Sequence, residues 1–254
     1  MATSLAGIFP DSRWSITVNS GNPFNTIYVY NTSINSAGNG GQCCLWTVPA
    51  GATWAKFEMW GGGGGGGAAC CCMAPMQSGS SGDYARITCR VVPGATFTVC
   101  AGGSTQWGQC FNRGCDGFTS YVCGGTTYLV CACAGGGIGG CTGCGTYSNW
   151  CNCLSGRCDQ STCNVNFSLC GVNGGMHNGA ACAWDGFGYV AEPTYLSSGL
   201  RIQTDMCSNN SGYSSLNNTY STFPGGGGAS AIANGGNCYC GSFGAAGLVI
   251  ITYK

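Results

Sequence analysis

Seven consecutive glycines, Gly61–Gly67, follow directly on a segment that alternates apolar and polar residues. No other feature limits the possible fold as strongly. A glycine run has no side chains to bury and the poorest helix propensity of any residue but proline. It is either a flexible linker or a place where backbone packs on backbone. In the second case, extended left-handed helices satisfy one another through main-chain hydrogen bonds. Gly135–Gly137 and Gly225–Gly228 are further candidates for that role. Because the long run begins where a well-formed strand ends, at Trp60, ordered packing is the stronger expectation.

That strand lies within Thr53 to Trp60. Ala55, Phe57 and Met59 face one way, with Trp54, Lys56, Glu58 and Trp60 opposite, the period-two signature of a half-buried strand. Tyr84 to Val92 repeats the pattern, with Ala85, Ile87, Cys89 and Val91 against Tyr84, Arg86, Thr88 and Arg90. Each alternating segment adjoins a similar turn. The apolar run Cys43 to Val48 reaches the first strand through Pro49 to Thr53, and Pro93 to Thr96 leads into Phe97 to Cys100. Two copies of strand, turn, strand and glycines predict two hairpins in one antiparallel sheet. Ile27–Tyr30, Phe118–Cys123, Tyr128–Cys133, Phe187–Ala191 and Leu248–Tyr253 also read as strands. Nothing carries a long 3.6-residue period. The expected fold is all-β, an antiparallel sandwich-like domain over residues 43–254 with long glycine- and cysteine-rich loops. Residues 1–42 form an N-terminal attachment segment, since the closing strand leaves the C-terminus inside the domain.

Composition narrows the partners. Eight Lys and Arg balance eight Asp and Glu, and no basic run exists, so nucleic acid is not expected as a ligand. No stretch approaches twenty apolar residues, so no membrane-spanning helix is expected. The first residues lack the basic and apolar regions of a secretory signal. Even so, 44% of the chain is hydrophobic, which supplies a core and argues against disorder despite 48 glycines. There are 23 cysteines, sixteen of them between Cys110 and Cys240, where periodicity is weak. Disulfide staples would hold such loops together, contributing about 2–4 kcal/mol each. Heavy cysteine use without an export signal fits a particle assembled in a reducing host cytoplasm, released by lysis and oxidised outside. The odd count leaves at least one thiol without a partner in its own chain.

Candidate chemistry is sparse. Cys131 and Cys133 with Cys141 and Cys144 place four thiols within fourteen residues, a spacing that suits tetrahedral zinc. With so many cysteines, close spacings are inevitable, and disulfides are the stronger expectation for these four. Cys43 and Cys44 are adjacent on a strand and therefore point to opposite faces and different partners. The single histidine, His177, sits among glycines and reads as a surface residue rather than the base of a cysteine nucleophile. After Asp83 the only acids are Asp116, Asp159, Asp185, Glu192 and Asp205, and Asp116 and Asp185 read as turn residues. No catalytic residue and no cofactor is assigned, and the chain is not expected to be an enzyme. Binding is the better prospect. Trp107, Phe111, Tyr147, Trp150, Tyr213 and Tyr220 lie in the glycine and cysteine loops, where aromatic faces stack on sugars or proteins at low entropic cost. The alternative is that half of them fill a small core.

The order of these elements carries a resemblance. Trp46 to Gly51, a strand, the glycine run, Gly82 to Ala85, a second strand, Pro93 to Val99 and Ala101 to Gly103 resemble the glycine-rich domain of bacteriophage tail fibres and adhesins. Pro224 to Gly228 and Gly244 to Tyr253 are similar to that family's closing strand. The match covers roughly residues 43–254 and is specific at its two ends. The resemblance implies a β-rich fold displayed on a virion near the host-contact end, as a fibre or baseplate receptor-binding component. Its partners would be other virion proteins, further copies of itself, and a host glycan or outer-membrane protein. A purely structural role, such as capsid decoration, is the alternative. The chain departs from the family in its abundant cysteine and in the broken glycine tracts of its middle.

Overall fold

The structure, a computed structural model, describes residues 25–30, 41–70, 76–77, 79–103, 114–127, 129–140, 165–169, 176–177, 186–189, 201–204, 223–228, 238–239 and 241–254. Every regular element among them is a strand. The first half of the chain forms β1 (Asn25–Tyr30), β2 (Gln42–Thr47), β3 (Trp54–Trp60), β4 (Ala69–Cys70), β5 (Met76–Gln77), β6 (Tyr84–Arg90) and β7 (Thr96–Ala101). Then come β8 (Ser120–Gly124), β9 (Val130–Ala134), β10 (Phe167–Leu169), β11 (Met176–His177) and β12 (Gly186–Tyr189). The last are β13 (Arg201–Thr204), β14 (Cys238–Tyr239) and β15 (Leu248–Tyr253).

Two antiparallel sheets dominate, one in the order β1-β15-β3-β6-β10 and the other β2-β7-β8-β9. The expected sandwich is present. Alternation along β3 buries Ala55, Phe57 and Met59, and along β6 it turns Arg86, Thr88 and Arg90 outward. Ile27, Val29, Phe57, Val249 and Ile251 from the first sheet meet Trp46, Phe97, Val99 and Val122 from the second in one core. Trp46 sits at its centre, with the rings of Phe57, Phe97 and Tyr253 at 5.6, 5.7 and 5.6 Å. Each such fully buried side chain contributes about 1.5–3 kcal/mol.

The pairing differs from the hairpins that the repeated turns predict. β2 pairs with β7, and β3 with β6, in full register. Each proline–glycine turn therefore carries the chain across the core from one sheet to the other. The two turns lie side by side: the N–H of Val48 donates to the carbonyl of Ala95 at 2.8 Å, and Gly94 donates back to Val48 at 2.9 Å. Gly51 and Gly94 have φ of 87° and 82° with nothing crowding them, so backbone conformation alone selects glycine there. The physical reason for the crossing is apolar. Val48, Ala52, Val91 and Ala95 are buried at the turns, which closes the end of the core and brings the apolar faces of β2 and β3 together. A local hairpin does occur at β8–β9. β1, from the segment expected to attach the domain, pairs with β15 over its whole length.

Candidate functional site

Beyond Trp60 the chain continues from β3 into Gly61–Gly67, all buried. Their amides point to three neighbours in rotation. Gly61 and Gly64 donate to Asp83 and Ser80, Gly62 and Gly65 to Phe118 and Cys115, and Gly63 and Gly66 to Ala245 and Ser242, at 2.8 to 3.0 Å. A donor that returns to the same neighbour every third residue defines an extended helix of three residues per turn. None of the seven has positive φ, which makes the helix left-handed. Its carbonyls are used as well. Gly62 and Gly65 accept from Gly137 and Gly140, and Gly64 accepts from Gly228.

The neighbours bond one another with the same period. Gly79 and Gly82 donate to Gly228 and Gly225, Ser80 and Asp83 to Ile138 and Gly135, and Gly114 and Gly117 to Gly140 and Gly137. Gly225 donates to Ala246, and Gly247 donates to Gly102. Around the central run the order is therefore 242–246, 225–228, 79–83, 135–140, 114–118 and 102–103, alternating in direction. Five of these six, all but 225–228, adjoin strands of the sandwich: β15, β6, β9, β8 and β7. Glycine is demanded by proximity. A Cβ on Gly63 would collide with the carbonyl of Gly226, and one on Gly117 with that of Gly62. Side chains brace the array where they can. Buried Ser120 accepts from Gly102 at 2.8 Å and donates to the carbonyl of Trp60, and Asp116 accepts from Gly139 at 2.8 Å. Asp116 thus braces an extended segment instead of making the expected turn.

Two outer faces flank this bundle. On the five-stranded sheet, Tyr30, Leu248, Trp60 and Tyr84 form a row across the strands beside the bundle. Trp60 and Tyr84 stack at 4.8 Å, and the Tyr84 hydroxyl donates to Glu58 at 2.8 Å, which in turn pairs with Lys56 at 2.7 Å. Phe167, under Arg86, and Phe223, against Tyr30, are exposed aromatic edges of the same face. Sequence reasoning passed over this aromatic row. The alternation of Ile27 and Val29 against Tyr28 and Tyr30 was its available signal.

The outer face of the four-stranded sheet is rich in sulfur. One row reads Cys43, Cys100, Tyr121 and Cys133; the next reads Leu45, Thr98, Cys123 and Cys131. Cys43 and Cys100 form a disulfide, and Cys44 turns inward, so the two adjacent cysteines do part to opposite faces. Burial pushes the Cys44 thiol up to about 12 and that of Cys89 up to about 11. Cys123 is raised chiefly by its hydrogen bond with Cys131, with burial adding to it.

Of the thiols singled out as metal ligands, Cys131 and Cys133 project from this face, and Cys141 and Cys144 lie outside the described residues. Among the described residues no three His, Cys, Asp or Glu side chains are grouped to hold a metal ion. Trp107, Phe111, Tyr147, Trp150, Tyr213 and Tyr220 also lie outside the described residues. The chain enters the first two from Gly103, at the level of Gly62, and returns at Gly114, at the level of Gly65. His177 pairs through its backbone with Met76.

No curated protein matches the chain. A family model described as a glycine-rich domain matches residues 36–254, a span that takes in the whole bundle and every strand of the two sheets except β1. The chain belongs to this glycine-rich domain family.

Proposed function

We propose that the chain is a structural component of a phage particle, a tail-fibre or baseplate-associated protein that contacts the host surface and performs no catalysis. The observation that carries this reading is the glycine bundle standing on the sandwich. Seven residues at about 3.1 Å each give a column roughly 20 Å long, with every turn cross-bonded to its neighbours. Such a column orders backbone at little cost in side-chain entropy. From it the chain passes into 104–113 and 141–164, which hold Trp107, Phe111, Tyr147 and Trp150. Aromatic-rich segments that begin at a stiff base suit a host glycan or an outer-membrane protein. The resemblance to tail-fibre domains supports the same reading, as do zero net charge and high cysteine content in a particle that works outside the cell. Assembly takes place in the host cytoplasm, alongside other virion proteins and further copies of the chain.

A second reading, a purely structural decoration of the capsid, is favoured by the Cys43–Cys100 bridge and the sulfur-rich face beside it. Gold-labelled antibody imaging of intact particles separates the two. Label at fibre tips or baseplate supports the first, and Trp107→Ala, Trp150→Ala and Tyr213→Ala would then reduce adsorption of whole particles to host cells. Even label over the head supports the second. Absence of label from every particle overturns both.

A further inference from the structure

On the outer face of the four-stranded sheet, Cys123 of β8 lies directly opposite Cys131 of β9, and their thiols share a hydrogen bond. Directly opposed residues on antiparallel strands hold their Cβ atoms about 4.5–5.5 Å apart, close to the 3.5–4.5 Å that a disulfide spans. The same face already contains one such bridge, since Cys43 and Cys100 are opposed on β2 and β7 with their Cα atoms 4.0 Å apart. Cys131 is exposed and Cys123 partly so, which leaves a small reagent room to reach them. β9 is the edge strand of its sheet, the position where pairing frays most readily.

We propose that Cys123 and Cys131 form a reversible redox site, a second cross-strand disulfide that closes by exchange with small disulfides and fastens the edge strand β9 to β8. The Cys131 thiolate attacks one sulfur of oxidised glutathione, forming a mixed disulfide and releasing one glutathione thiolate. The Cys123 thiolate then attacks the Cys131 sulfur, forming the protein disulfide and releasing the second glutathione. Two protein thiols are oxidised, one glutathione disulfide is reduced to two thiols, and the two protein protons end on them. Raised by its hydrogen bond with Cys131 and by burial, the Cys123 thiol makes closure faster as pH rises. Nothing in this chemistry depends on a receptor-binding role.

The test uses the full chain at pH 8, equilibrated with reduced or with oxidised glutathione, alkylated with N-ethylmaleimide and digested with chymotrypsin. Cleavage after Tyr128 and Leu129 separates the two cysteines unless they are bridged. Under oxidised glutathione a bridged Cys123–Cys131 peptide pair is expected, with alkylation of both falling at least ten-fold and returning after dithiothreitol. Hydrogen exchange at the amides of Val130–Ala134 should slow in parallel. Cys133→Ser should leave the bridge intact, and Cys131→Ser should leave Cys123 unbridged to any protein cysteine, either alkylated or carrying glutathione that dithiothreitol removes. Full alkylation of both cysteines after oxidation, or bridging of either one to Cys133 or any other cysteine, overturns the proposal.

Discussion

At Gly63 one methyl group decides whether the bundle closes, because the carbonyl of Gly226 occupies the place where a Cβ would stand. Gly63→Ala should destabilise the protein by about 1–3 kcal/mol or more in urea unfolding, since both groups are backbone and neither can swing aside. Gly51→Ala is a useful contrast. Its surroundings are open and only its φ of 87° resists a side chain, so a loss of about 1–2 kcal/mol is expected, with the bundle's amides as well protected as before. The buried thiols make a second residue-level prediction. Cys44 at about 12 and Cys89 at about 11 stay protonated in the folded chain where their unfolded counterparts, near 9.0, ionise. The unfolded state then binds fewer protons, so stability should hold below pH 9 and fall between about pH 9 and 12. Unfolding followed against pH checks this, and Cys44→Ala with Cys89→Ala should flatten the alkaline decline.

Among the elements, β2 shows how differently two neighbouring positions behave. Trp46→Ala removes the ring around which Phe57, Phe97 and Tyr253 pack, and should cost about 3–5 kcal/mol by denaturant titration. Leu45→Ala, with the side chain 64% exposed, should stay within about 0.5 kcal/mol. Strands of this kind were legible because alternation reports burial residue by residue. β15 was read at its full extent, Leu248–Tyr253, and β3 and β6 to within one or two residues. Partners were not legible. Pro49 to Thr53 and Pro93 to Thr96 have the composition of hairpin turns, but whether two flanking strands share hydrogen bonds or face each other across a core depends on the other pair, which lies beyond the glycine run in the chain. Cys43 and Cys100, 57 residues apart, are hidden for the same reason. The short strand β10 was missed because its three residues, Phe167–Leu169, are too few to show a period and form only against β6.

For the molecule as a whole, the glycine run is part of the folded structure, and its exchange behaviour should say so. The amides of Gly62, Gly63, Gly64 and Gly65, each bonded to another segment, should exchange as slowly as those of Phe57 and Val249; fast exchange would mean that the run is a linker. The preference for ordered packing was legible from the position of the run after Trp60, and Gly135–Gly137 and Gly225–Gly228 were legible as further members of the array, whereas the other four neighbours were not, because their glycines are interspersed with other residues and form no long run. Of the aromatic residues expected to touch a receptor, none lies among the described residues; the aromatic row beside the bundle is itself buried at Trp60, Tyr84 and Leu248, which leaves Phe167, Phe223 and the sulfur-rich face as the exposed features that can be placed. The three-residue rotation of amides in Gly61–Gly67 works like a screw thread cut to fit three nuts at once. Adding one glycine after Gly61 would turn every later donor by a third of a revolution and present it to the wrong segment. Adding three would restore the match and lengthen the column by about 9 Å. The height of this domain can therefore change only in whole turns, and insertions of one, two and three glycines, compared by melting temperature, should show recovery at three.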